Sequence, residues 1–195
     1  MVVADHAIFF HEYQEADQPI VGGKCASLGA MTRAGLPVPP GFAVTTHAFA
    51  ESMGMDHVGP HLAALLADLD VSDMHALTRV AHLCRELALD AGPSPRAEAT
   101  IRAGYSQLCE QTRVDDVAVA VRSSATAEDQ PDASFAGQQD TYLWIRGSDN
   151  VVNHVVRCWA SLYTDRAIAY RYENCYSHTD VAMSVAVQQM VLTTT

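Results

Sequence analysis

A chain of 195 residues that is 49% hydrophobic and 18% charged can close a packed core, which excludes a disordered protein. Its formal charge of -11 excludes an electrostatic nucleic-acid binder, and no apolar run reaches the roughly 18 to 20 residues that cross a bilayer. The start, Met1 to Phe10, carries Asp5 and His6 and no basic stretch, so no secretory signal is read there and a cytoplasmic protein is expected.

In chain order, Ala7 to Phe10 is short and aromatic and predicts an edge strand. Gly22-Gly23-Lys24 then opens a helix from Cys25 to Ala34, with Leu28 and Met31 at helical spacing and Gly35 as its stop. Pro37 to Gly41 is a rigid linker into a buried strand, Phe42 to Thr45, after which Thr46 is placed to cap a short helix. Three packing helices follow. The first is expected near His61 to Asp68, and the second begins near Ser72 with Met74, Leu77, Val80, Cys84, Leu87 and Ala88 inward. The third has Ser94 as cap, Pro95 at its first position, and Ile101, Tyr105, Leu108 and Cys109 along its inner stripe.

Val117 to Val121 is a continuous apolar run, expected as a strand covered on both faces. Thr141 to Ile145 reads as another strand. Ser148 is placed to cap a helix with Val151, Val152, Val155, Val156 and Trp159 inside, and a further helix runs from Thr164 to about Asn174. Val181 to Val191 alternates like a strand. The five cysteines contain no C-x-x-C pair and are expected to be reduced, mostly buried thiols. His57 and His61 read as loop or surface residues, not as a metal pair.

Three segments have the chemistry of phosphate binding. Helix N-termini leave amides unpaired and attract anions, and glycine lets backbone approach a phosphate. Gly22-Gly23-Lys24 supplies both features, and Lys24 is the only lysine among twelve cations. The segment is not a Walker A loop, and an ordinary glycine turn with a solvated lysine is equally compatible with it. Arg122 follows the apolar run at what reads as a strand's C-terminal end, where ligands bind in open α/β sheets, with Ser123, Ser124 and Thr126 as small donors. A surface arginine in a polar turn is the alternative. Ser134 to Gln139 reads as a mobile lid, with Gly137 giving backbone access; by itself it fits any hairpin loop.

Taken together, Val21-Gly-Gly-Lys-Cys-Ala-Ser-Leu-Gly, Ala34-Gly-Leu-Pro-Val-Pro-Pro-Gly-Phe, Ala120-Val-Arg-Ser-Ser-Ala-Thr-Ala-Glu-Asp129 and Ala133-Ser-Phe-Ala-Gly-Gln-Gln-Asp-Thr-Tyr142 resemble the ATP-binding domain of pyruvate, phosphate dikinases and phosphoenolpyruvate synthases. Cys158 to Arg171 and Val187-Gln-Gln-Met-Val191 extend the likeness. Arg-Ser-Ser, in place of Arg-Ser-Gly, makes the chain more similar to phosphoenolpyruvate synthases and to rifampicin phosphotransferases, which these motifs do not separate.

The resemblance implies an α/β (α+β) chain forming the N-terminal portion of an ATP-grasp fold. It implies Mg²⁺-dependent cleavage of ATP, with a β-phosphoryl group passed through a histidine to pyruvate or an antibiotic. By motif position Lys24, Arg122, Gly137, Thr141 and Gln188 would contact ATP; no residue is assigned a catalytic or metal-binding role. Residues 1–195 would then be a truncated domain, with the second ATP-grasp lobe, the phosphohistidine domain and the substrate domain supplied in cis or trans. A non-catalytic, stand-alone nucleotide-binding module is the competing expectation.

Overall fold

The computed structural model describes residues 6–54, 57–125, 141–177 and 182–191. Its strands are β1 (Ala7–Phe9), β2 (Gly41–Val44), β3 (Val119–Ala125), β4 (Thr141–Ile145) and β5 (Met183–Gln189). They form one sheet in the order β1-β2-β5-β3-β4, and every neighbouring pair is antiparallel. Among the described strands β5, the last in sequence, therefore lies at the centre, and β1 and β4 are the outermost.

Two layers cover this sheet unequally. Phe42, Val44, Val119, Val121, Val185 and Val187 alternate toward one face and join the main core. That face is covered by α2 (Thr46–Met53), α3 (Gly59–Leu66), α4 (Met74–Ala91), α5 (Pro95–Thr112), α6 (Ser148–Ala160) and α7 (Asp165–Glu173). Trp159 of α6 is fully buried there, edge-on to Phe49 with ring centroids 6.0 Å apart. The opposite face is covered by α1 (Gln18–Arg33), over a smaller cluster of Phe10, Tyr13, Val21, Cys25, Ala26, Ala43 and Ala186.

Local signals account for most of these elements. Asp73 caps α4 by accepting from the amides of His75 and Ala76, and Ser94 caps α5 through Ala97 with Pro95 following. Thr164 caps α7 through Ala167. Some expectations are corrected. A short helical turn from Gln18 precedes the expected helix, which itself opens just beyond non-helical Gly22. Thr45, not Thr46, occupies the N-cap position of α2, with no side-chain capping bond. Met74 lies in the first turn of α4 and is 63% exposed instead of inside, and Leu77, Ala81, Cys84 and Ala88 carry the buried stripe.

All five cysteines are free thiols, and His57 and His61 are exposed. Among the described residues no helix is long and apolar enough to cross a membrane.

Candidate functional site

α1 is two helical pieces. Gly22 has φ 68 and ψ 165, which no helix carries, so a fresh helix with its own N-terminal amides begins just beyond it. The break is packed hard against the sheet. A Cβ on Gly22 would stand 2.7 Å from both the carbonyl oxygen and the Oγ of Ser124, and 3.1 Å from Ser184 Oγ. Glycine is required there by conformation and by space.

Ser124 and Ser184 face each other across β3 and β5, and both are fully buried. The Ser184 hydroxyl donates to the Val21 carbonyl and lies 2.9 Å from the Ser124 carbonyl; Ser124 Oγ is 3.5 Å from the same Val21 oxygen. Cys25 lies one residue beyond Lys24 with 2% of its surface exposed. Burial pushes its thiol up to about 12, eased by hydrogen bonds to Ser124 and Ser184 and by the nearby charges of Lys24 and Arg122.

Lys24 and Arg122 thus both act electrostatically on this one thiol. Lys24 is exposed, and its Nζ donates to the Ser123 carbonyl at 3.3 Å, one residue from Arg122. Arg122 is exposed and two residues from Ser124, so the β-strand alternation places it on the α1 face of the sheet. Thr141 on β4 is paired with Arg122 and belongs to the same face. Two residues along β5 from Ala186, the strand partner of Arg122, Gln188 also faces that way; its Nε2 donates to the Pro39 carbonyl at 3.1 Å. Arg122 and Thr141 thus lie on the α1 face of the sheet, and Lys24 of α1 reaches the strand next to Arg122. Gln188 lies one row further along, tied to the linker after α1. Gly137 lies outside the described residues.

The route by which sequence placed Arg122 at a site is not the one the fold uses. The sheet is wholly antiparallel, and Arg122 is mid-strand, so the rule for the carboxyl ends of parallel strands does not apply. Ser123 and Ser124, read as donors on the ligand side, are both buried within the protein. Ser184 carried no motif signal at all: its role follows only from its register opposite Ser124.

An ammonium, a guanidinium, a hydroxyl and a helix N-terminus on one face of the sheet have the chemistry that suits oxyanions, in an otherwise acidic molecule. The sequence model of the pyruvate phosphate dikinase AMP/ATP-binding domain matches residues 18–194, and the chain belongs to that family. A sheet with helices on both faces, in a chain of this family, is the N-terminal portion of an ATP-grasp nucleotide-binding fold. The chain is 46% identical over 186 residues to a probable phosphoenolpyruvate synthase of Methanothermobacter thermautotrophicus, covering 95% of this chain and 27% of that protein. To a probable phosphoenolpyruvate synthase of Methanocaldococcus jannaschii it is 47% identical over 180 residues, covering 92% and 15%. To the phosphoenolpyruvate synthase of Neisseria meningitidis it is 44% identical over 191 residues, covering 96% and 24%. The chain thus spans about a quarter or less of the length of these relatives, and it is a phosphoenolpyruvate-synthase-like ATP-binding domain of the dikinase family.

Proposed function

We propose that Lys24, Arg122, Thr141 and the helix N-terminus after Gly22 hold the phosphates of ATP, with Gly137 and Gln188 as further contacts. The reaction served is phosphoenolpyruvate-synthase-like: ATP, pyruvate and water give AMP, inorganic phosphate from the γ-position and phosphoenolpyruvate, the β-phosphoryl group passing through a histidine. The remaining lobe, the phosphohistidine domain and the substrate domain act in cis or trans. The observation that carries the reading is the Lys24 ammonium resting on the Ser123 carbonyl beside Arg122, from residues far apart in sequence.

In this arrangement Lys24 and Arg122 are fixed charges that stabilise negative charge developing on phosphoryl oxygens, and positioned charges are the main contribution a protein makes to such transfers. Thr141 orients an oxygen by donating its hydroxyl proton. Mg²⁺ would neutralise negative charge on the phosphates. Its protein ligands are assigned to the remaining lobe. The names of the relatives favour phosphoenolpyruvate synthesis over rifampicin phosphorylation.

Half a site binds weakly because it stays wet. Titrating this chain with MgATP should therefore shift the amide resonances of Gly23 to Cys25 with a Kd of about 1 mM, an affinity near 4 kcal/mol. Lys24→Ala and Arg122→Ala should each remove the shifts, and in a complete enzyme each should abolish phosphoryl transfer. Undiminished shifts in both variants would refute the assignment, and micromolar binding by the wild-type chain would favour a self-sufficient nucleotide-binding module.

A further inference from the structure

We propose that Ser184 is a positioning residue for the phosphate-binding turn: its buried hydroxyl latches the Val21 carbonyl to the sheet and thereby fixes where Lys24 and the amides beyond Gly22 point. The inference rests on the reading of that turn as a phosphate ligand.

The physical need is local. A helical carbonyl bonds to the amide four residues on, which requires helical backbone in between. Gly22 lacks it, so the Val21 carbonyl leaves the helical ladder inside a buried cluster. A buried carbonyl needs a donor. Water does not reach Val21, which is 1% exposed, and the donor is Ser184 Oγ, itself fully buried. Ser124 Oγ stands at 3.5 Å, a weaker partner for the same oxygen.

The location makes this hydroxyl more than a core bond. Val21 is three residues before Lys24, and Ser124 is two residues after Arg122. Ser184 lies 2.9 Å from the Ser124 carbonyl while donating to Val21, so one side chain on β5 spans the two segments that carry the cations. Gly22 is already at closest approach to β3, so the turn cannot sink further inward. Without the latch the turn can only lift, and lifting takes the Lys24 ammonium off the Ser123 carbonyl.

The test compares Ser184→Ala with Ser161→Ala in this chain. Ser161 is also buried and donates to the Cys158 carbonyl at 2.6 Å, far from the turn in sequence, so it controls for the loss of one buried hydroxyl. Amide hydrogen exchange and MgATP-induced resonance shifts are read on each. Ser184→Ala should speed exchange at residues 22 to 25 and weaken MgATP binding, each by about tenfold, the equivalent of one lost hydrogen bond. Ser161→Ala should change neither, and Ser124→Ala should change both less than Ser184→Ala does. Wild-type exchange at the turn in Ser184→Ala overturns the proposal. So does fast exchange with undiminished MgATP affinity. Lys24→Ala separates the two readings: it should remove the nucleotide response while exchange at the turn stays slow. A retained response there sinks the phosphate assignment, while the exchange rates still judge the latch. If Ser184→Ala does not fold, Ser184→Cys keeps a weak donor and should give intermediate exchange, with wild-type exchange again the overturning result.

Discussion

Gly22 is the residue on which the site's geometry turns. Its φ of 68 lies where side chains are disfavoured, and its missing Cβ is the space that Ser124 occupies. Gly22→Ala should destabilise the chain by about 3 kcal/mol, combining backbone strain with overpacking. Urea unfolding followed by circular dichroism reads this directly, and a loss below about 1 kcal/mol would mean the turn relaxes without cost. Sequence made the glycines visible, because few other residues permit close approach of backbone. It did not show what approached. Ser124 looked like a ligand donor because small hydroxyls serve water, phosphate and carbonyls equally well, and only the register with Ser184 decides which.

At the scale of elements, the helices were legible where local chemistry sets them. Ser94-Pro95 marks α5, and the valine stripe of α6 is buried as its spacing implies. The strands were legible as strands but not in their pairing. Val117 to Val121 reads as a doubly covered strand; all five residues are buried, but the strand begins only at Val119 and runs on to Ala125, and nothing in the pattern distinguishes a parallel from an antiparallel neighbour. β5 alternates small and branched residues: Ser184 and Ala186 lie on the α1 face, where a helix sits close, and Val185 and Val187 face the main core. The edge strand β4 has a defect no periodicity announces. Its register against β3 shifts between Val119 and Val121, and Trp144 there takes a φ of 61 while 49% exposed. Left-handed backbone costs a bulky residue about 1 to 2 kcal/mol. Trp144→Asn should therefore raise stability by about 1 kcal/mol, seen as a higher urea midpoint with unchanged slope. A lower midpoint would show that the indole makes contacts worth more than its strain.

For the molecule as a whole, burial of ionisable side chains predicts alkaline fragility. Burial pushes the Cys25 thiol up to about 12, the Cys84 thiol to about 11 and the Tyr163 hydroxyl to about 12. A thiol whose folded value is raised contributes fully below its ordinary value of 9.0, and that contribution is lost as pH climbs through the folded value. From pH 9 up to its folded value, about 12 for Cys25 and about 11 for Cys84, each thiol should remove up to about 1.4 kcal/mol per pH unit. Unfolding free energy should thus be flat from pH 7 to 8 and fall above 9, less steeply in Cys25→Ala. A flat profile to pH 11 would contradict the burial of these groups. In the same native state, only exposed Cys175 should react quickly with a thiol reagent, with half-buried Cys109 slower.

The position of β5 also bears on how the polypeptide is made. Translation delivers β1, β2, β3 and β4 first, and the ribosome releases Met183–Gln189 last of the described strands, although that strand joins β2 to β3. Until then a nascent chain has two half-sheets with bare inner edges, the kind of edge that seeks other chains. A message that stalls before codon 183 should thus yield an aggregating product instead of a smaller soluble one, and the nascent segment needs shielding until its keystone arrives.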